Sequence, residues 1–116
     1  MKHILLPLFI LGFILPATIN SLSGQVIYSC NSKYEADVKV FVAESQYEAD
    51  LVVYKMDNKY NAEGNRGWWY FTDSKYDADK SVWFAESKYD ADLLIYFTDS
   101  KYNAEWRKRE KIHLLY

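Results

Sequence analysis

The chain is organised around a six-residue motif that occurs six times, and this repetition is the strongest constraint on its fold. Each copy has Tyr third, Ala fifth and an acidic residue sixth, as in Ser74-Lys75-Tyr76-Asp77-Ala78-Asp79. The copies begin at Ser32, Ser45, Asn58, Ser74, Ser87 and Ser100. Successive starts are 13, 13, 16, 13 and 13 residues apart, so each structural unit must fit within that short period.

Each copy is predicted to form a one-turn helical corner between strands. Ser45 with Glu48 resembles a capping box, in which the hydroxyl accepts from a backbone N–H one turn further on. So short a helix is unstable alone and must be packed. We expect the motif Tyr and Ala side chains to face the core, and the final acidic residue to cap backbone N–H groups or pair with Lys. The Tyr residues expected to be buried are Tyr34, Tyr47, Tyr60, Tyr76, Tyr89 and Tyr102.

Runs of β-branched and aromatic residues between the copies predict about seven short strands, so the fold is mainly β. They cover residues 26–29, 38–43, 51–56, 68–72, 82–85, 93–98 and 112–116. Residues 40–42 are apolar throughout, which suits a strand covered on both faces. The connections are shorter than the dozen residues of an ordinary parallel crossover. Consecutive strands are therefore expected to be antiparallel neighbours or to arch across to a facing sheet.

The spacing also indicates a duplication. Copies one and four, two and five, and three and six each begin 42 residues apart, which predicts two pseudo-symmetric halves of three repeats. Three extra residues, 64–66, followed by Gly67, break the period once and join the halves. Trp68 and Trp69 come next, and alternation along a strand places them on opposite faces. We expect Trp69 in the core and Trp68 partly exposed beside Arg66.

The N-terminus has the plan of a secretory signal peptide. Met1-Lys2-His3 precedes a mainly apolar run at 4–15 that is too short to span a bilayer, and small residues follow at Ser21, Ser23 and Gly24. We predict a signal peptide at 1–24 and one domain at 25–116. The mature protein is expected to be secreted or periplasmic, without membrane insertion.

Composition excludes some functions. Removal of Lys2 with residues 1–24 leaves 13 basic against 16 acidic residues, which argues against nucleic-acid binding. Cys30 is the single cysteine and is expected to be a buried thiol, the alternative being an intermolecular disulfide. The acidic motif positions lack the Gly and the terminal Glu of a calcium loop, and His113 alone makes no zinc site. We expect no cofactor and no metal.

The motif copies, the central run 64–71 and the ending at 106–116 resemble the septoil knot domain family, small bacterial proteins of unknown function. The resemblance covers essentially everything after residue 24, although Gln46 stands where other copies have Lys and Asn58 where they have Ser. It implies a mainly β domain in which two half-chains are intertwined in a deep torus knot. The family has no catalytic residues to transfer.

An enzyme is not expected, because the carboxylates recur in every copy whereas an active site is normally a unique departure from a repeat. The unique positions, Arg66 and Trp68 at the junction and Trp106 and Arg107 after the last copy, are the predicted partner-binding residues. The alternative is that these Trp rings fill the core and the basic run is a solvated loop.

The expected function is that of a structural or protein-interaction module whose partner is an unknown protein or envelope component. The alternative is an inhibitor or ligand-binding partner of an envelope hydrolase, or less favourably an enzyme itself.

Overall fold

The computed structural model describes residues 25–58 and 66–115. Within these ranges the strands are β1 (Gln25–Ser29), β2 (Val38–Val42), β3 (Leu51–Lys55), β4 (Trp68–Thr72), β5 (Lys80–Phe84), β6 (Leu93–Phe97) and β7 (Glu105–Trp106). One-turn 3-10 helices form corners at Lys33–Glu35, Gln46–Glu48, Lys75–Asp77, Lys88–Asp90 and Lys101–Asn103. A longer 3-10 helix spans Arg109–Leu115. The mainly β class with short strands and one-turn corners is confirmed.

Two predictions lie outside the described residues. The signal peptide at 1–24 is one, and the third motif copy around Tyr60 is the other. Across residues 25–58 and 66–115, no helix has both the length and the apolar character needed to cross a membrane.

The first six strands form a closed barrel in which every neighbouring pair is parallel. The order around the barrel is β4-β1-β5-β2-β6-β3, and β3 pairs with β4 to close it. Strands of the first half (β1, β2, β3) alternate with strands of the second (β4, β5, β6) at every contact around the barrel, including the closing β3–β4 pair. This order is what two half-chains wound around each other produce, and it agrees with the intertwined halves that the resemblance implied.

The predicted antiparallel or arched connections were wrong, and the reason lies in the stagger of the strands. The last residue of β1, Ser29, and the first residue of β2, Val38, pair with the same residue of β5, Val82. Likewise Val42 at the end of β2 and Leu51 at the start of β3 both pair with Ile95. Each strand thus begins at the level where the preceding one ended. The connection spans only two strand spacings, about 10 Å, so a short corner suffices.

The last Asp of the motif ties each strand to a strand of the other half. The Asp37 N–H donates to the Ser81 carbonyl (2.8 Å), and the Asp37 carboxylate accepts from the Ser81 N–H (2.8 Å). The same reciprocal pair joins Asp50 with Leu94, Asp79 with Val26 and Asp92 with Lys39. The expectation that this residue caps backbone donors is therefore confirmed at four copies. Hydrogen bonds to a charged acceptor are among the stronger ones in proteins.

Serine side chains also cap the corners, but with a shorter reach than predicted. The hydroxyls of Ser32, Ser45 and Ser87 accept from the N–H of the motif Tyr two residues later, at 3.1–3.2 Å. In the copies at Ser74 and Ser100, a threonine hydroxyl two residues before the serine accepts from the serine N–H instead. These threonines are Thr72 and Thr98. The corner is one 3-10 turn, so its first free N–H lies two residues after the cap.

Side chains at alternate positions of the strands point inward and fill the barrel interior. Its buried residues are Ile27, Val38, Val40, Leu51, Val53, Trp69, Val82, Leu93 and Ile95, joined by Trp106 and Leu115. Of the strands, β3 is buried through three successive residues, 51–53. The prediction that residues 40–42 are covered on both faces was wrong at Val42, which is 40% exposed, because the pairing of β5 with β2 ends at Val40.

The predicted strand at 112–116 was also wrong. Residues 109–115 form a 3-10 helix, and the seventh strand lies earlier, antiparallel to β3. Ile112 and Leu115 are three residues apart and therefore share a face of this helix. Leu115 is 1% exposed, and Ile112 packs against the core. Lys111 Nζ donates to the buried Asp50 carboxylate at 3.0 Å, which fastens the helix to the barrel.

Candidate functional site

The junction between the halves depends on a glycine. Gly67 has φ +93°, and a Cβ placed there would lie 2.5 Å from the Val52 carbonyl oxygen. The Gly67 carbonyl accepts from the Tyr54 N–H at 2.8 Å, so the chain enters β4 already paired with β3. From this point the strand alternates as predicted. Trp69 is completely buried and Trp68 is partly exposed.

Trp68 is held by cations and by a hydrogen bond. The Arg66 guanidinium carbon and Lys101 Nζ each lie 4.7 Å from the Trp68 ring centroid. The indole N–H donates to the Lys101 carbonyl at 3.1 Å. Two cations beside one ring form a positively charged aromatic patch, which suits a carboxylate or another anionic group of a partner. The prediction that Trp68 lies beside Arg66 is confirmed.

The two predicted binding residues after the last motif copy lie elsewhere. Trp106, opposite Leu51 in β7, is 8% exposed and belongs to the core. Its burial removes it from the candidate surface and agrees with the alternative that Trp rings fill the core. Arg107 is exposed, and its guanidinium carbon lies 5.5 Å from the Tyr47 ring centroid. Of the four predicted residues, Arg66 and Trp68 lie together, Arg107 lies beside Tyr47, and Trp106 is in the core.

The motif tyrosines were predicted to be buried, and this prediction was wrong. Their exposed fractions are 88% for Tyr34, 75% for Tyr47, 97% for Tyr76, 88% for Tyr89 and 89% for Tyr102. Each corner joins two strands that flank a strand of the other half, so it crosses the outside of the barrel and its ring points to solvent. The motif Ala faces inward instead, most completely at Ala49.

A family model of the 7(1) septoil knot domain matches residues 24–107. The chain belongs to the septoil knot family. A search of curated proteins found no match. A search of solved structures found none either. The match spans the barrel, its described corners and β7, and it ends before the C-terminal 3-10 helix.

The septoil knot domain also carries a groove that the sequence analysis missed. The main cleft, of about 470 Å³, lies between the corners at Tyr47 and Tyr102, over residues 96–98 at the end of β6. It is lined by Glu44, Ser45, Gln46, Tyr47, Tyr96, Phe97, Thr98, Asp99, Ser100 and Asn103. These are aromatic, hydroxyl, amide and carboxylate side chains, with no aliphatic residue and no cation among the described lining residues.

Two further clefts adjoin the main cleft. One, of about 400 Å³, shares Phe97 and Asp99 and adds Tyr54 and Lys55. The other, of about 180 Å³, shares residues 46 and 103 and adds Tyr102, Glu105 and Arg107. The three adjoining clefts are together called the groove, and five aromatic residues are among those that line them. The sequence signal was Gln46, the one described motif position where Lys is replaced.

Other candidate chemistry is limited in the described part of the domain. No group of three or more His, Cys, Asp and Glu residues lies within reach of a common metal ion among residues 25–58 and 66–115. Cys30 is 5% exposed, and its thiol donates to the carbonyls of Ser32 (3.3 Å) and Val82 (3.4 Å). The prediction of a buried thiol at the end of the first strand is confirmed.

Proposed function

We propose that this septoil knot domain is an exported interaction module that binds a protein or another envelope component and has no catalytic activity of its own. The observation that supports this most directly is the set of five motif tyrosines, each at least 75% exposed on a corner. Tyrosine rings supply a large, rigid contact area at low conformational entropy cost and are enriched at interfaces.

The fold itself does not require these rings. The N–H groups of Tyr34, Tyr47 and Tyr89 donate to serine hydroxyls, and any residue type except proline offers the same donor. Two of the rings lie beside the preceding Lys, at 5.7 Å from Lys33 Nζ to the Tyr34 centroid and from Lys88 Nζ to the Tyr89 centroid. A ring that adds little to the core, yet recurs in every motif copy, is better explained by contacts with a partner.

The corners are suited to present these rings. The corners of Tyr34, Tyr47 and Tyr89 are each anchored at one end by a serine-capped 3-10 turn and at the other by the Asp pair with the neighbouring strand. A rigid platform reduces the entropy lost when a side chain is immobilised on binding. The Arg66–Trp68 patch adds the one described surface with two cations over an indole, and we propose it as the site for an anionic group of the same partner.

Affinity capture from the native envelope fraction tests this function. The baits are the wild-type protein, a variant with all five exposed motif tyrosines changed to Ser, and Trp68→Ala. We expect the partner captured by wild type to be lost with the tyrosine variant and reduced with Trp68→Ala. The purified partner is then titrated against all three baits. If it is an envelope hydrolase, its activity is measured with and without the module.

A folding control makes the capture result interpretable. All five substituted tyrosines are exposed, so the circular dichroism spectrum and the urea midpoint of the tyrosine variant should stay close to those of wild type. Equal binding of the partner to wild type and to a folded tyrosine variant would contradict the proposed function.

Export is tested separately by intact mass. The exported protein should lack about the first two dozen residues, because signal peptides end at small residues after the apolar run. A protein that keeps residues 1–24 in the membrane fraction would contradict this part of the proposal.

A further inference from the structure

We infer that the groove between the corners at Tyr47 and Tyr102 binds a linear, uncharged oligosaccharide. This inference names a ligand for one part of the tyrosine surface, and in that sense it rests on the proposed function.

The residue types in the groove are those that sugars require. A hexose presents apolar C–H faces, which pack on aromatic rings, and hydroxyl groups that both donate and accept hydrogen bonds. Tyr47 and Tyr96 supply rings in the main cleft, and Gln46 and Asn103 supply amides that can donate and accept at once. The main cleft alone is within the usual size range of ligand pockets.

The shape favours a linear polymer over a compact ligand. Tyr54 lines one adjoining cleft and Tyr102 the other, so each of the three clefts has a tyrosine in its lining. The Arg107 guanidinium carbon lies 5.5 Å from the Tyr47 centroid. This contact restricts the Tyr47 ring before a ligand binds.

Other linear ligands fit the groove less well. An extended peptide that joins a sheet needs a free strand edge, and β6 at the base of the groove is paired with β2 and β3. A peptide with apolar side chains needs aliphatic surface, which the described lining of the main cleft lacks. A polyanion such as a nucleic acid would meet the carboxylates of Glu44 and Asp99 in the main cleft, where no cation is among the described lining residues.

The groove departs from the repeat at the corner of Tyr47. The position 42 residues after Gln46 is Lys88, beside Tyr89. An amide next to the exposed tyrosine of one corner therefore corresponds to an ammonium group next to the exposed tyrosine of the equivalent corner.

Calorimetric titration of the purified full chain with two probes tests the inference. The probes are cellohexaose and chitohexaose, linear β-1,4 hexamers of glucose and of N-acetylglucosamine. We expect at least one to bind with a Kd between about 10 μM and 1 mM. Tyr47→Ala should weaken that binding about tenfold or more, the loss expected when a stacking platform is removed.

The chain offers a matched control. Tyr89→Ala removes the equivalent exposed tyrosine of the other half, outside the groove, and should change the Kd by less than about twofold, since surface substitutions away from a site have small effects. Gln46→Lys, which restores the repeat residue, should weaken binding. Circular dichroism checks the fold of each variant.

Three results would overturn the inference: neither hexamer binds at concentrations up to about 5 mM, Tyr47→Ala binds as wild type does, or Tyr89→Ala loses as much as Tyr47→Ala. The failure of the proposed function is distinguishable from these results. If the tyrosine-dependent partner of the capture experiment is a protein that binds while no hexamer does, the interaction module stands and the sugar groove falls.

Discussion

Replacing Asp50 should destabilise the domain far more than replacing its equivalent, Asp92, because the two differ in burial and in partners. Asp50 is 1% exposed. Its carboxylate accepts from the Leu94 N–H at 2.9 Å and from Lys111 Nζ at 3.0 Å. Asp92 is exposed, and its carboxylate accepts from the Lys39 N–H at 3.2 Å. Comparing the two substitutions therefore separates two energies. Both Asp residues cap a backbone N–H group, whereas Asp50 in addition forms the buried ion pair with Lys111.

The magnitude follows from the groups that lose a partner. Loss of a hydrogen bond to a charged acceptor costs about 1.5–3 kcal/mol, and breaking a fully buried ion pair costs about 3–5 kcal/mol. The Lys111 side chain is 35% exposed, so it can turn to water and recover part of the second term. We expect Asp50→Ala to lower the free energy of unfolding by about 3 kcal/mol. Asp92→Ala should lower it by about 1 kcal/mol, because this hydrogen bond is exposed and water can replace the lost acceptor.

Urea unfolding followed by tryptophan fluorescence measures both values, with incubation long enough for slow unfolding to reach equilibrium. Asp50→Asn retains an acceptor for the Leu94 N–H but removes the charge, so its loss should lie between zero and that of Asp50→Ala. Lys111→Met should lose less than Asp50→Ala, because it leaves the backbone cap intact. Equal losses for Asp50→Ala and Asp92→Ala would refute the reasoning.

Three further predictions concern the junction and the knot. Gly67→Ala should cost at least about 1–3 kcal/mol in urea unfolding, because φ is +93° and the Cβ would meet the Val52 carbonyl; an unchanged midpoint would contradict this. Trp69→Ala should cost about 3–5 kcal/mol and Trp68→Ala about 1–2 kcal/mol, and the reverse order would mean that the two faces are misassigned. Unfolding and refolding should both be slower than in unknotted β domains of this size, since the chain must unthread as well as lose contacts; fast single-phase refolding from an unknotted chain would contradict a deep knot.

The elements that the sequence determined are those that depend on local pattern. Six of the seven predicted strands occur with ends shifted by at most two residues, and the one-turn corners lie at the five described motif copies. Trp69 and Trp68 take opposite faces as alternation requires. The Asp caps were also predictable, because a carboxylate just before a strand lies beside free N–H groups of the neighbouring strand.

The missed features depend on how strands are arranged in space. The rule that a parallel connection needs a dozen residues assumes strands at the same level, and the stagger shown by Ser29 and Val38 on Val82 removes that assumption. Strand direction and order therefore followed from the register of the closed barrel, which no single segment encodes.

The candidate sites depend on the fact that each corner crosses the outside of the barrel. A Tyr–Ala pair in one 3-10 turn can present either residue to the core, and only the crossing outside the intervening strand turned the rings, such as Tyr76, to solvent. The groove likewise joins Gln46 with Asn103, which are far apart in sequence and meet because neighbouring corners belong to different halves. Sequence alone set the repeats, the strands and the caps, because these are encoded within a few residues. The exposed tyrosines and the groove were set by tertiary structure, because they depend on which half-chain lies next to which.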